Sequence, residues 1–475
     1  MQGVYKMKTG KNAILQFNDS LNNPKGNRKE TLYFCFATMT GIFLRLAYVL
    51  RIPYYVNQHD AGDFTSGHIG YVCYLLEHGG KLPDFNPTTV WSFYHPPLHH
   101  YLAAFFAKIN VLCGADLEQA LESVQLLTAF YGVCILLVSY LLLKKFNLSG
   151  FALLLPYTLL CVHPSLIMLS GSINNDGLCL LLTLLTAYSA ILWYEKPVLK
   201  RICILALLFA ATMLTKMSGL LLAPAAGCLF LIKLLQNKKE WKSMLMQFLA
   251  FGLLCIPLSL SFSIRNLILW HVNPFFTLSL GDYMYTGNDL AERIFLLQKE
   301  QFASPFVIYN VTLDNMLAVD RNIIVYLLKT SLFGDKFFLS ADSPYIGIAW
   351  GLHAVNLLLI LIAFPCMLAV LVKTAASVIK ERNLTFHIKE LFLFFLYGCS
   401  MGSFFMFCFK YPNACSQDFR YINLTLFINM IFLGVFLQYT DKSRPIGKIL
   451  KSTLVILSSL FTVFTVILFL NCSRI

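Results

Sequence analysis

The sequence predicts an all-α polytopic membrane protein of about eleven transmembrane helices, and three observations carry that prediction. Hydrophobic residues make up 57% of the 475-residue chain and charged residues 13%, about half of what a soluble globule of this size needs to coat itself. Apolar runs of about 20 residues, the length that crosses a hydrocarbon core, recur along the chain, and the mean hydropathy is +0.66. Lysine and arginine gather on alternate connections between those runs, which is the bias that marks cytoplasmic loops.

The runs fall at 32–50, 122–143, 151–169, 177–194, 202–215, 217–232, 244–264, 346–372, 390–409, 419–438 and 452–470. The fifth and sixth are short and meet at Thr215-Lys216-Met217-Ser218-Gly219, so charge placement must decide whether they are one helix or two. With eleven spans and the N-terminus inside, the cytoplasmic segments hold 23 of the 37 Lys and Arg residues. Merging the two short runs would move the four lysines of 233–243 and every later basic loop outside. Eleven spans satisfy the rule.

The net charge of +13 is therefore an orientation signal, and a nucleic-acid-binding patch is the wrong reading of it. Disorder and collagen-like repeats are excluded by the same composition. The 14 cysteines are scattered through apolar runs without framework spacing, which speaks against a disulfide scaffold or structural zinc. The chain then divides into a basic cytoplasmic tail, 1–31; an N-terminal transmembrane module, 32–264, whose first outer loop is 51–121; a second outer loop, 265–345; and C-terminal transmembrane helices, 346–475. The tail carries Lys6, Lys8, Lys11, Lys25, Arg28 and Lys29, and no cleavable signal peptide is evident.

The two outer loops run to 71 and 81 residues while the inside connections are short. That asymmetry implies an apparatus on the outer face. In the first loop, Ile69, Val72, Cys73 and Leu76 form one apolar stripe of a helix, ended by Gly79-Gly80. A second stripe, Leu98, Leu102, Phe105, Phe106 and Ile109, follows Tyr94-His95-Pro96-Pro97. Both helices are expected to lie along the membrane surface. In the second loop, Asp289 to Gln301 and Asn322 to Phe333 read as further surface helices, followed by Gly334-Asp335.

Several of these residues carry chemistry. Arg420, in Asp418-Phe419-Arg420-Tyr421, sits where a guanidinium can fork two bonds onto a phosphate at the water–lipid boundary; a snorkelling arginine paired with Asp418 is the alternative. Lys216 and Arg265 are placed to assist, or to anchor helix ends. Asp176 begins the fourth span, where a carboxylate caps the helix or contacts a substrate. His59, His68, His95, His99 and His100 invite a metal, but no closed ligand set can be assembled from their spacing; no cofactor is called, and a divalent metal is without support. Tyr54, Tyr55, Trp91, Phe93 and Tyr94 suit either sugar stacking or an interfacial aromatic belt.

The stretch QHDAGDFTSGHIGYVCYLLEHGGKLPD (58–84), with FYHPPLHHYLAA (93–104), resembles the first outer loop of the GT-C membrane glycosyltransferases. Within that superfamily it is similar to the bacterial protein O-mannosyltransferases and the lipid A aminoarabinose transferases. SGSINNDGL (170–178), LTKMSGLLLAP (214–224) and CSQDFRYI (415–422) agree, in order along the chain. The resemblance implies a GT-C fold and transfer of a hexose or pentose, with inversion, from a polyprenyl-phosphate donor to an outer-face acceptor that is a glycan, a glycolipid or a protein. The partners it implies are that lipid-linked donor and membrane lipid, at a plasma membrane, by analogy a bacterial one. An acid of the first outer loop would be the general base. Asp60 falls on that position, although Ala61 stands where the protein O-mannosyltransferases place a Glu beside the Asp. Asp60 also reads as a turn residue, and Asp63 is the competing base or else an N-cap. His59, Tyr94, His95 and Asp176 are the expected substrate contacts. The second loop is too short for the lectin-like insert of the eukaryotic enzymes. A transporter or flippase of a lipid-linked sugar is the other class considered; it predicts repeated halves and charged helices at mid-membrane, neither of which is evident.

Overall fold

A computed structural model describes residues 28–281, 284–311, 316–337, 339–340, 342–381, 387–440 and 445–471. The tail lysines Lys6, Lys8, Lys11 and Lys25 lie outside them. The chain is a helical bundle. In order, α1 is Arg28–Val49, α2 Gly67–Glu77, α3 Leu98–Leu112, α4 Leu117–Lys145, α5 Phe151–Cys161, α6 Pro164–Leu169, α7 Asp176–Glu195 and α8 Leu199–Thr215. Then come α9 Leu222–Gln236, α10 Trp241–Trp270, α11 Leu290–Phe295, α12 Ile323–Phe333, α13 Ile346–Glu381, α14 Ile388–Lys410, α15 Asn423–Tyr439 and α16 Pro445–Asn471. A two-stranded antiparallel ribbon, β1 Tyr309–Val311 and β2 Met316–Ala318, pairs Asn310 with Leu317.

Among the described residues nine helical segments are long and apolar enough to cross a membrane, against the eleven spans expected. The other two expected spans are present as shorter pieces. The fifth is α8, with 17 residues. The third is broken into α5 and α6, because Pro164 has no N–H to continue the ladder. The break leaves the Cys161 carbonyl open, and the buried Arg45 of α1 fills it at 2.8 Å while also holding the Gly41 carbonyl at 2.9 Å. Gly41 lets the helices meet, since a Cβ there would stand 2.9 Å from that same Cys161 oxygen.

Two further expectations are corrected. The helix α2 does not lie on a surface: besides its stripe, His68, Gly70 and Tyr71 are buried, because α3 and the 85–93 segment cover its other face. In α3 it is Leu102, Phe105 and Ile109 that are exposed, while His99, His100, Ala103, Ala104 and Ala107 face the protein. Large apolar side chains turned outward in this way suit a lipid surface. The predicted 289–301 helix stops at Phe295, and α12 is buried on most of its length, with Lys329 paired to Asp320 at 2.9 Å.

Candidate active site

One end of the bundle holds a cavity of about 610 Å³, walled by the 55–62 segment, the N-terminus of α7, the Lys216 hairpin, the C-terminal half of α14 and the start of α15. Part of its lining is apolar, with Leu180, Leu222, Phe404 and Leu424, and part is charged. Asp60, Asp176, Lys216, Asp335, Lys336 and Arg420 all line it.

Local chain chemistry explains how Asp60 is aimed. Asp60 takes a positive φ of 55°. Its carbonyl accepts the His68 N–H at 3.0 Å and that of Ala61 accepts Ile69 N–H at 2.9 Å, so this turn caps α2 with backbone and leaves the carboxylate for the cavity. Gly67 makes the turn possible: at φ +72° a Cβ would lie 2.3 Å from the Ala61 oxygen. Gln58 then rivets the segment to the chain entering α7, donating to Gly171 O at 2.9 Å and accepting Ile173 N–H at 2.9 Å. The Asn174-Asn175 pair completes the frame. Asn174 Oδ1 accepts the Asp176 N–H at 3.0 Å, and Asn175 donates to Thr215 O at 2.8 Å, beside Lys216.

These restraints bring together residues far apart in sequence. Arg420 Nη2 stands 2.8 Å from Asp60 Oδ2, and its Nη1 is 3.5 Å from Asp176 Oδ2. Lys216 bonds the other Asp176 oxygen. The Tyr421 ring is a shared platform: the Arg420 guanidinium lies 4.8 Å and the Lys216 ammonium 5.2 Å from its centroid. Arg420 is itself held by Asp418, whose Oδ1 accepts the Arg420 N–H at 2.7 Å. A third of the Asp60 side-chain surface stays open, against 8% for Arg420 and Asp176. Burial alone would raise the Asp60 carboxyl, but the Arg420 guanidinium and His59 hold it below the usual carboxylate range. It is an ionised, accessible carboxylate at rest.

His95 and Tyr94 also face the cavity. His95 stacks on His68 at 5.3 Å between centroids, His68 Nδ1 lies 2.8 Å from His100 Nε2, and His99 reaches Ile173 O at 2.6 Å. Burial, then the Lys216 charge, pulls His95 down to about 4, and His68, His99 and His100 are lowered too, chiefly by burial. His68, His95, His99 and His100 are therefore neutral at pH 7, and His99 is spent on backbone.

Two expected site residues are elsewhere. Asp63 is exposed and outside the cavity lining; its Oδ1 accepts from the N–H and hydroxyl of both Thr65 and Ser66, which holds it at about 2. It builds the turn ahead of α2. Arg265 stacks over Trp270 at 4.7 Å and donates to Pro83 O at 2.6 Å, tying the first loop to α10. Conversely, Asp335 and Asp418, which sequence spacing did not single out as ligands, meet His59: one donor atom from each lies within 4.8 Å of the others. The only signal in the sequence was two further acids beside outer-face motifs, Gly334-Asp335 and Gln417-Asp418.

A family model described as dolichyl-phosphate-mannose-protein mannosyltransferase matches residues 94–261. No curated protein matches the sequence. Among solved structures, the oligosaccharyltransferase AglB of the archaeon Archaeoglobus fulgidus, in complex with an inhibitory peptide and a dolichol-phosphate, is similar at a TM-score of 0.52 and 12% identity, over 94% of this chain and 56% of that one. The apo form of the Archaeoglobus fulgidus oligosaccharyltransferase gives 0.49 and 12%, again over 94% and 56%. The chain thus spans little more than half the length of those enzymes. The likeness is one of fold, and that fold is GT-C.

Proposed function

We propose that the protein is an inverting membrane glycosyltransferase that moves a sugar from a polyprenyl-phosphate donor to an acceptor hydroxyl at the outer face. The observation that carries this reading is the Asp60–Arg420 contact of 2.8 Å in a cavity lined in part by apolar helix. Base and phosphate-binding cation stand side by side, in a space whose apolar lining suits an isoprenoid. The match to a family of dolichyl-phosphate-mannose-dependent enzymes supports it.

In this reading the polyprenyl chain lies against Leu222, Phe404 and Leu424 while its phosphate takes donors from Arg420 and Lys216. The acceptor hydroxyl enters beside Asp60. Its oxygen attacks the anomeric carbon as Asp60 accepts its proton, and the bond from that carbon to the phosphate oxygen breaks with its electron pair going to the phosphate. The cations stabilise the leaving phosphate, so no acid is needed there. Arg420 links the two halves of the reaction. As it turns to the phosphate it gives up part of its hold on Asp60, which raises the basicity of that carboxylate when the proton must be taken. Tyr94, His95 and Asp176 line the same space and bind the sugar.

The test is a liposome assay with purified protein, a sugar-labelled polyprenyl-phosphate donor and a panel of glycan, glycolipid and peptide acceptors. Release of polyprenyl phosphate with label on an acceptor is expected, and Asp60→Asn should abolish it while the protein still elutes as a folded species. Label that crosses the bilayer still joined to its carrier would mean a transporter instead.

A further inference from the structure

We propose that His59, Asp335 and Asp418 form a binding site for a divalent first-row metal ion, manganese or zinc, in the cavity wall behind Arg420. The three come from distant segments: the turn after α1, the end of α12 and the connection before α15. Their donor atoms lie within 4.8 Å of one another, a spread that an ion with bonds of about 2.0–2.2 Å draws together with small movements. Asp335 and Asp418 are buried, with the Asp335 side chain 2% exposed.

One of the donors is also uncommitted. Asp418 uses Oδ1 to cap Arg420, but its Oδ2 is buried and has no hydrogen-bond partner. The Asp418 carboxylate is the one brought within 4.8 Å of the His59 and Asp335 donors. His59 Nδ1 and Asp335 Oδ1 already face each other as a pair at 2.7 Å, a separation that an ion can bridge. A carboxylate oxygen buried as deeply as Asp418 Oδ2 is costly to leave unpaired, and a metal would satisfy it. The backbone makes room for the imidazole: Gly334 has φ +60°, and a Cβ there would stand 3.1 Å from His59 Nε2. A small adjoining cavity of about 30 Å³, lined by Ser172, Asp176, Asp418 and His59, leaves space for a water to complete the coordination.

Charge points the same way. Four carboxylates, Asp60, Asp176, Asp335 and Asp418, line the two cavities against three cations, Lys216, Lys336 and Arg420. The carboxylates thus outnumber the lysine and arginine cations by one, a balance that suits a cation. A bound dication reverses it. Imidazole with two carboxylates is a mixed nitrogen and oxygen set that suits Mn²⁺ or Zn²⁺. The binding claim does not rest on the glycosyl-transfer reading; only the consequence for a phosphate ligand does.

The experiment uses the full-length protein in detergent, stripped with chelator and then equilibrated with Mn²⁺ or Zn²⁺ alone, with no donor or acceptor present. Metal analysis after gel filtration should find about one ion per chain. Asp335→Asn and Asp418→Asn should weaken binding by at least about tenfold; the latter keeps a side-chain oxygen to cap Arg420. Asp63→Asn, at an exposed acid outside the cavity, should bind as the parent does. The Mn²⁺ form of the unmutated protein should show magnetic coupling to one imidazole nitrogen, a readout that survives even if the variants fold poorly. Absence of that coupling, absence of stoichiometric metal in folded protein, or equal binding by the two carboxylate variants would overturn the proposal. Because the readout is occupancy, failure here leaves the transfer reading standing, and failure of the transfer assay leaves this one standing.

Discussion

Arg420 and Asp60, 360 positions apart in the sequence, meet with Nη2 and Oδ2 at 2.8 Å, and the same guanidinium extends its other nitrogen to Asp176 at 3.5 Å. One residue therefore sets both the ionisation of the proposed base and the anion-binding character of the cavity. Asp60→Asn removes the proton acceptor and should lower transfer by about 10²–10⁴-fold with little change in donor affinity. Arg420→Lys keeps the charge but loses the fork, and should cost about 10²-fold or more in turnover. Turnover within a few-fold of the parent in either variant, measured by release of polyprenyl phosphate, would remove that residue from the mechanism.

The turn that aims Asp60 is sterically exacting. Gly67 combines φ +72° with a virtual Cβ only 2.3 Å from the Ala61 oxygen, so alanine must break the hydrogen bonds from His68 and Ile69 that fix the turn. Gly67→Ala should cost more than the about 1–2 kcal/mol of a left-handed backbone alone and depress activity strongly. Gly79→Ala, also at positive φ but with open space around it, should cost only the backbone penalty. Thermal melts in detergent that rank the two variants in the other order would refute this account of the turn.

Gln58 is a positioning residue whose side chain bonds Gly171 O and Ile173 N–H. Gln58→Leu leaves both backbone groups buried and unpaired, at about 1–3 kcal/mol, and frees Asp60 from the α7 entry. The expected signature is a fall in kcat larger than any rise in KM for donor, since the phosphate contacts are untouched. A change in KM alone would show that the rivet supports binding, not geometry.

How much of this was legible in the sequence depends on the range of the interaction. Spans such as α4 and α13 are long apolar runs and could be read directly, because lipid imposes a composition on each residue separately. Pro164 was visible, yet the break it makes was not foreseen, because the compensating donor, Arg45, sits on another helix. Asp60, Asp176, Lys216 and Arg420 stood out as charges beside motifs, but their convergence depends on Gln58 and Asn175, whose partners are backbone atoms 113 and 40 positions away, respectively. The α2 stripe was read correctly and its burial missed: Tyr71 and His68, on the supposedly wet face, are the residues that pack it. In α3 the same logic inverted, since beside a bilayer the small residues turn inward and the large ones face lipid.

The imidazoles of the first loop predict an acid limit to stability. His68, His95, His99 and His100 are all lowered, by burial first and then, for His95, by the Lys216 ammonium; His95 and His99 reach about 4. A histidine whose folded value lies below its unfolded value of about 6.5 binds more protons when unfolded. Stability conferred by the neutral stack is thus complete above about pH 6.5 and falls as pH drops through 6.5 toward 4. His59 is shifted the other way, raised by Asp335 against its own burial, so its contribution is already complete below 6.5 and does not offset the loss. The Asp63 carboxyl, held at about 2, keeps its own contribution throughout this window. Thermal midpoints in detergent should therefore decline steadily from pH 6.5 to 4, and His100→Phe, which removes one titrating ring while keeping the stack against Tyr71, should make the decline shallower. A midpoint that stays level across the window in the parent protein would mean that the stack already carries charge, contrary to the neutral packing of His68 against His95 and His100.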